Sequence, residues 1–115
     1  MQKLLEITYL FDLYHPLLTQ KQKDLLAGYY FEDLSFSELA ENYQISRQSI
    51  FDTIKKTEQK LLEFEQKLHL LEKFKVQQEI LIELEQITTN EVNKVDKQDL
   101  LRIKYLIDKL KHEIL

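Results

Sequence analysis

Residues 35–56 read SFSELAENYQISRQSIFDTIKK, and this stretch decides the fold. Ser35 and Glu38 have the spacing of a capping box, in which a hydroxyl and a carboxylate each satisfy a free amide at a helix start. Ser46 is a second candidate N-cap. Two capped helices joined by a turn of three or four residues form a helix-turn-helix, whose second helix can enter a DNA major groove.

Apolar residues in the same stretch predict how the two helices pack. Leu39 and Ala40 lie on one face of the first helix, and Ile50 and Ile54 lie four residues apart on the second. We expect these two faces to meet. The side chains left outward are then candidates for binding a nucleic acid or another partner. They are Ser46, Arg47, Gln48, Ser49, Phe51, Asp52, Lys55 and Lys56.

The composition favours an all-α fold. The chain has 115 residues with one glycine and one proline, which are too few for a turn-rich β protein. Leu, Lys, Glu and Gln dominate, and all four are strong helix formers. Hydrophobic residues make up 43% of the chain, enough for a modest core.

Helix breakers divide the N-terminal part of the chain. A first helix is predicted to end at His15–Pro16, because proline disfavours helix at the residue before it. Thr19 is expected to cap a second helix that ends at Glu32–Asp33. Gly28 lies inside this second helix, where glycine costs about 1 kcal/mol relative to alanine. It therefore predicts a close crossing with another helix, within a head of four helices.

The chain after Ser46 predicts a long helix. We expect it to extend to about Phe74 and to continue, or kink, into a helix over Val76–Ile87. Thr88–Val95 is predicted to be a polar connector, and Asp96 to open a last helix. The apolar spacing resembles that of coiled-coil packing. Its first positions are Leu61, Phe64, Leu68 and Leu71.

These patterns predict two regions. Residues 1–73 form a helix-turn-helix head that includes the start of the long helix, and residues 74–115 form a C-terminal helical hairpin or coiled-coil-like region. The small head cannot cover the whole apolar stripe of the tail. Either the last helix folds back on the long one or the stripe pairs with another chain. We expect both, which gives a helical dimer.

Charge and hydropathy restrict the class of partner. The formal net charge is −4, which disfavours unselective binding to a polyanion. Residues 46–60, however, carry four basic and two acidic side chains, a weak indication of nucleic-acid contact. No apolar run reaches the roughly 18 residues needed to span a membrane, and no signal-peptide cleavage pattern is present. We expect a cytoplasmic protein without membrane insertion.

No pattern typical of an enzyme is found. The chain has no cysteine, and a single glycine excludes a glycine-rich phosphate loop. His15, His69 and His112 are far apart and lack metal-ligand spacing. We therefore expect a non-enzymatic protein without a cofactor or a metal site.

The head resembles two groups of bacterial proteins. Residues 17–26 (LLTQKQKDLL) and 29–74 are similar to the YlxM family, most specifically in ISRQSI at 45–50 and KLHLLEKF at 67–74. The head is also similar to the C-terminal helix-turn-helix of sigma factors. Gln44 stands where those turns usually carry glycine, which adopts a positive φ at less cost.

The YlxM resemblance implies an accessory or regulatory protein of the signal recognition particle pathway. Such proteins are thought to work with the GTPase subunit of the particle and its small RNA. The family is also described as DNA-binding, on the strength of its helix-turn-helix. The resemblance implies no catalytic residues.

The candidate binding residues leave the partner open. Arg47 suits guanine or phosphate, and Gln48 suits adenine. Phosphate would repel Asp52, however, and Phe51 suits an unstacked RNA base or a protein better than a duplex groove. Three hypotheses follow: contact with RNA or a ribonucleoprotein, a DNA-binding transcriptional regulator, and an oligomeric adaptor that binds only protein.

Overall fold

The structure is a computed structural model that describes residues 2–89 and 96–114, apart from the side chains of residues 89, 113 and 114. Across these ranges the chain forms six α-helices and no strand, which confirms the predicted all-α class. Two compact units are present, Met1–His69 and Leu70–Leu115. The helices are α1 (Gln2–Tyr14), α2 (Gln20–Tyr30), α3 (Phe36–Tyr43), α4 (Arg47–Leu68), α5 (Leu70–Thr89) and α6 (Lys97–Ile114).

The first two helices of the N-terminal unit begin and end close to the predicted positions. After α1 the chain forms a short 3-10 helix at His15–Leu17, with proline near its start. Thr19 then caps α2 through a complete capping box. Its hydroxyl accepts from the Gln22 amide at 3.2 Å, and the Gln22 side chain accepts from the Thr19 amide at 3.0 Å.

Gly28 marks the crossing of α2 with α3, as predicted. A Cβ at this position would lie 2.9 Å from Cδ2 of Leu39 and 3.6 Å from Cδ1 of Leu34. Since Leu39 is 1% exposed, its side chain fills the space that a larger residue at position 28 would need. Glycine therefore allows α3 to pack closely on α2.

The turn between α3 and α4 is a Schellman motif centred on Gln44. This residue is left-handed, with φ 56°. The Ile45 amide donates to the Ala40 carbonyl at 3.1 Å, and the Gln44 amide donates to the Glu41 carbonyl at 3.4 Å. These bonds satisfy carbonyls at the end of α3. The sharp turn thus forms with glutamine where glycine is the usual residue.

The apolar faces of α3 and α4 are buried as expected. Leu39, Ile50 and Ile54 are each at most 1% exposed, and α3 and α4 pack against one another. Burying one such side chain contributes about 1.5–3 kcal/mol. The remaining fully buried apolar side chains of this unit come from α1, α2 and α4. They are Leu10, Tyr14, Leu25, Leu26 and Leu61.

Helix α4 is shorter than the sequence predicts. It ends at Leu68 rather than near Phe74, and the boundary between the two units accordingly lies after His69 and not after residue 73. His69 adopts a left-handed conformation with φ 56°, and its amide donates to the Glu65 carbonyl at 2.8 Å. This geometry is a helix C-cap. No glycine or proline signals it in the sequence.

The C-terminal unit is a helical hairpin of α5 and α6, which confirms that part of the predicted fold. Ile80 and Leu106 are buried, and Arg102 forms a two-pronged ion pair with Glu83, at 2.6 and 3.0 Å. Asp96 caps α6 by accepting from the Asp99 amide at 2.8 Å, as expected. Thr88 and Thr89, predicted to open a connector, still belong to α5.

The rest of that connector, residues 90–95, lies outside the described residues. Within the described ranges, no helix combines the length and the apolar character that crossing a membrane requires.

Candidate functional site

The eight candidate binding residues all lie at the start of α4 and are all exposed. We call them the recognition surface; they are Ser46, Arg47, Gln48, Ser49, Phe51, Asp52, Lys55 and Lys56. Their exposure follows from the burial of Ile50 and Ile54, which orients one face of α4 inward. Over the described ranges, some of the eight side chains form hydrogen bonds, ring contacts or an ion pair with neighbouring residues, and the others do not.

Ser46 and Ser49 interact with each other at the N-terminus of α4. The Ser46 hydroxyl accepts a hydrogen bond from the Ser49 amide at 3.0 Å and lies 3.0 Å from the Ser49 hydroxyl. This arrangement confirms Ser46 as the N-cap of α4. Replacing such a cap with alanine costs about 0.5–2 kcal/mol, so both serines have a structural role before any binding role.

Gln48 and Asp52 are paired with each other. The Gln48 amide nitrogen donates to Asp52 Oδ1 at 3.0 Å, one turn along α4. The carboxylate therefore lies in the middle of the recognition surface, as the sequence indicates. A polyphosphate backbone laid across this face would meet a negative charge at its centre.

Phe51 belongs to a continuous series of aromatic rings. Its ring meets Phe36 edge to face, with centroids 5.6 Å apart and planes at 88°. Phe36 stacks on Tyr29 at 4.7 Å and 14°, and Tyr29 meets Tyr30 edge to face at 5.0 Å. Phe51 is the end of the series in α4 and remains 39% exposed. The ring is thus held in place while it still offers a surface.

Lys55 is engaged with neighbouring side chains of the head. Its ammonium lies 5.6 Å from the centroid of the Phe51 ring and 3.5 Å from a carboxylate oxygen of Glu58. Glu58 is 7% exposed and also pairs with Lys3 of α1, at 3.5 Å. Lys55 therefore contributes to the packing of the head, which the sequence does not reveal.

Tyr30 completes the cluster around Glu58, because its hydroxyl donates a hydrogen bond to Glu58 Oε1. Partial burial, and then the hydrogen bond to this carboxylate, raise the pKa of Tyr30 well above its usual range. The protonated phenol serves as a hydrogen-bond donor to a buried charge. A buried carboxylate requires such partners.

Arg47 and Lys56 remain the least engaged cations of the recognition surface. Among the described residues, neither forms an ion pair or a hydrogen bond through its side chain. Lys56 lies five positions after Phe51, about 140° of helix rotation, and so it faces a different side of α4. Arg47, by contrast, lies beside Phe51 and Phe36 at the edge of a shallow pocket.

Sequence reasoning missed three residues that organise this site. Phe36 lines the pocket with the recognition surface, Glu58 holds Lys55, and Tyr30 holds Glu58. Each lies in a region that the sequence identifies only as helix or as apolar core. The spacing of Lys55 and Glu58, three residues apart on one helix, is the one signal that could have found any of them.

The described residues contain no group of three or more His, Cys, Asp or Glu side chains that could hold a metal ion. The arrangement at α4 can supply an aromatic surface, two cations and an amide. These are binding groups for a macromolecule or an aromatic ligand.

Comparisons with known proteins agree with this geometry. A family model described as "Putative helix-turn-helix protein, YlxM / p13 like" matches residues 1–102. A UPF0122 protein of Shouchella clausii (strain KSM-K16) is 50% identical over 84 residues, covering 73% of this chain and 77% of the relative. A UPF0122 protein of Bacillus cereus (strain AH187) is 45% identical over 100 residues, covering 85% and 91%.

A UPF0122 protein of Bacillus anthracis (strain A0248) shows the same 45% identity over 100 residues. The family description names a helix-turn-helix and no enzyme activity. The matched segment includes the whole N-terminal unit and the recognition surface. The chain therefore belongs to the UPF0122 family of YlxM-like helix-turn-helix proteins.

Proposed function

We propose that this chain is a non-enzymatic regulatory or accessory protein of the signal recognition particle pathway. It contacts the GTPase subunit of the particle, its small RNA, or both through the recognition surface of α4. The YlxM resemblance motivates the choice of pathway, and such a role places the protein in the cytoplasm. The observation that carries the proposal is that Arg47 and Phe51 stay exposed beside each other at the start of α4 while Ile50 and Ile54 are buried.

The mixture of groups on the recognition surface favours a ribonucleoprotein partner. Phe51 is 39% exposed and lies between Arg47 and Lys55, one turn from each. Interface hot spots are enriched in arginine and aromatic residues, and unpaired RNA bases stack on aromatic side chains. A long duplex instead requires a row of cations facing phosphates.

A DNA-binding transcriptional regulator is the second candidate, because the fold includes a capped helix-turn-helix with a sharp Schellman turn. Two observations disfavour it. Asp52 lies in the centre of the surface, and Lys55 is paired with Glu58. Only Arg47 and Lys56 of this surface are then left to neutralise phosphates, which is few for salt-dependent duplex binding.

The test is a binding comparison with three purified partners: the particle GTPase subunit, the particle RNA and a random-sequence DNA duplex. Fluorescence anisotropy at two salt concentrations measures each affinity. We expect binding to the GTPase subunit or the RNA to exceed binding to the duplex by about tenfold or more, as specific contacts do over backbone contacts. Tighter binding to the duplex at both salt concentrations contradicts the proposal.

The variants Arg47→Ala and Lys56→Ala report on the recognition surface, with Lys21→Ala as the matched control. Lys21 is an exposed lysine of α2 in the same unit. If RNA is the partner, each surface variant lowers the salt slope by about one for each phosphate that the missing side chain would have neutralised. Lys55→Ala is unsuitable, because it also breaks the pair with Glu58.

Self-association through the C-terminal hairpin is part of the proposed function. Glu83 and Arg102 occupy one side of the α5–α6 pair. Leu81 follows the buried Ile80 by one residue, and Ile107 follows the buried Leu106 in the same way. In an antiparallel pair of helices these positions place Leu81 and Ile107 on the side opposite the Glu83–Arg102 ion pair.

Leu100 lies on that same apolar side, because it precedes Ile107 by two turns. The three side chains are 47%, 42% and 59% exposed, in the order Leu81, Ile107, Leu100. We propose that this side of the hairpin joins two copies of the chain. An apolar row opposite a charged side is typical of a helical interface.

A further inference from the structure

The N-terminal unit has a shallow pocket of about 530 Å³ lined by Phe36, Arg47, Gln48 and Phe51. Phe36 is the first residue of α3, and the other three come from the first turns of α4. The pocket therefore spans both helices of the helix-turn-helix. Its volume falls in the range of roughly 300–1,000 Å³ that small-molecule sites occupy.

We propose that this pocket receives one unstacked nucleobase of a single-stranded nucleic acid. The inference deepens the proposed function and rests on it, since it names the chemical group that the recognition surface takes. The aromatic rings supply the stacking surface, and the pocket rim supplies a cation and an amide.

The stacking surface is packed against neighbouring rings. Phe51 meets Phe36 edge to face at 5.6 Å, and Phe36 stacks on Tyr29 at 4.7 Å. Each ring is therefore braced by the next, and the series continues into the half-buried Tyr30. A preorganised ring loses little freedom when a ligand stacks on it. The exposed part of Phe51 offers this ring to a flat aromatic ligand.

The rim carries the polar groups that a base and its phosphate need. Arg47 lines the pocket, and its guanidinium can stack on a base or bind a phosphate. Gln48 uses its amide nitrogen for Asp52, so its carbonyl oxygen remains an acceptor for the amino or imino edge of a base. Lys55 lies over the Phe51 ring but is paired with Glu58, so Arg47 is the cation of the pocket rim.

A paired duplex cannot use this site. Its bases expose only their edges, whereas the Phe51 ring offers a surface for the face of a base. Asp52, which is hydrogen-bonded to the pocket residue Gln48, also repels phosphates, which a duplex brings on two backbones and a single strand on one. Single-stranded segments present free faces and bind through aromatic stacking together with a few cations.

The experiment places the only indole of the protein in the pocket. The chain has no tryptophan, so Phe51→Trp creates a single fluorophore whose emission a stacked base quenches. The probes are a dodecameric oligouridylate, the matching oligodeoxyuridylate and a DNA duplex of equal length. We expect saturable quenching by the single strands and none by the duplex.

Affinity measurements that compare the wild type with variants of the pocket residues complete the test. Phe51→Leu and Phe36→Leu should each weaken binding of oligouridylate about tenfold, the effect of losing one stacked base, while the salt slope stays unchanged. Phe51→Tyr keeps an aromatic face and should bind within about twofold of wild type. Arg47→Ala should instead flatten the salt slope. Far-UV circular dichroism verifies that each variant is folded.

The remaining outcomes are also decisive. Equal binding of oligouridylate and oligodeoxyuridylate supports a site for the base alone, and preference for the former adds a contact with the ribose hydroxyl. Quenching by the duplex, or wild-type affinity in both leucine variants, overturns the pocket. Binding of the GTPase subunit without any binding of single strands overturns the pocket and leaves the proposed function standing. Binding of single strands without binding of either particle component supports the pocket and contradicts the proposed function.

Discussion

The hydroxyl of Tyr30, at the end of α2, donates a hydrogen bond to the carboxylate of Glu58 in α4. Glu58 is 7% exposed and also pairs with Lys3 and Lys55. One carboxylate therefore connects α1, α2 and α4. This connection sets where Lys55 and, through it, one edge of the recognition surface lie.

Replacing Tyr30 with phenylalanine should destabilise the head. The change removes a hydrogen bond to a charged group, which contributes about 1.5–3 kcal/mol, and leaves Glu58 with fewer partners. We expect the free energy of unfolding to fall by about 1–2 kcal/mol, measured by urea denaturation at neutral pH. Tyr29→Phe is the matched control, because within the described part of the chain the hydroxyl bonded to Glu58 is that of Tyr30 and not of Tyr29.

The same pair predicts an alkaline pH dependence. The pKa of Tyr30 is higher in the folded state than its unfolded value of about 10. Its contribution is therefore fully present below that pH and is lost as the pH rises through the higher folded pKa. The free energy of unfolding should fall more steeply above about pH 10 in the wild type than in Tyr30→Phe. Parallel curves would contradict this assignment.

Replacing Gly28 with alanine should destabilise the α2–α3 crossing. The new Cβ would lie 2.9 Å from Leu39 Cδ2, and overpacking a buried site costs about 1–3 kcal/mol. The gain in helix propensity, about 1 kcal/mol, offsets only part of this. We expect a net loss of about 1 kcal/mol in thermal or urea unfolding.

The double variant with Leu39→Val tests the cause. Valine lacks one methylene and should release the crowding at position 28, so Gly28→Ala becomes neutral or stabilising in that background. Such coupling is expected only of residues in contact. An additive double variant would place the cost elsewhere.

Replacing Gln44 with glycine should stabilise the helix-turn-helix. Gln44 has φ 56°, a left-handed conformation that costs a non-glycine residue about 1 kcal/mol. Part of this gain is cancelled because glycine has more freedom in the unfolded chain. We expect the free energy of unfolding to rise by about 0.5 kcal/mol, whereas Gln44→Val should lower it. Glu41→Gly, inside α3, is the opposite control and should destabilise.

The stability of the α5–α6 hairpin should decrease at acid pH because of Glu83. The hydrogen bonds from Arg102 lower the pKa of Glu83 below its ordinary value of 4.5. A lowered pKa means that this contribution to stability is present above the unfolded pKa and is lost as the pH falls through the folded one. In an NMR titration, Arg102→Gln should return the Glu83 pKa toward its ordinary value. Unchanged titration in that variant would contradict the ion pair.

Self-association should depend on the apolar side of the hairpin. Sedimentation at micromolar concentration should show a species of twice the 13.9 kDa chain mass. Leu100→Glu should shift it to the monomer, since it places a charge in an apolar interface. Leu101→Glu is the matched control on another face of α6, where Leu101 is 60% exposed. A monomer in the wild type, or equal effects of both variants, would refute this interface.

Much of the fold could be predicted because it depends on local signals. Thr19, Ser35, Ser46 and Asp96 each cap a helix as expected, since capping requires only a short polar side chain and the next three residues. Gly28 was likewise a reliable sign of close packing. The end of α4 was not predictable, because it depends on a left-handed His69, and few residues other than glycine adopt that conformation.

The recognition surface shows the same division. All eight of its residues are exposed, as the spacing of Ile50 and Ile54 and the helical repeat determine. The helical repeat does not determine that Lys55 is paired. The carboxylate of Glu58 is held in place by partners from α1 and α2, which are distant in the sequence. Phe36 belongs to the site only because α3 packs against α4.

The amino-acid sequence by itself determined the helix starts, the inward face of α4 and the all-α class, since each depends on residues within one or two helical turns. The tertiary structure alone decided which exposed side chains are engaged and which can still bind a partner. Glu58 and the aromatic series from Tyr30 to Phe51 bring together residues distant in the chain. Long-range packing selects such contacts, and no local pattern in the sequence encodes them.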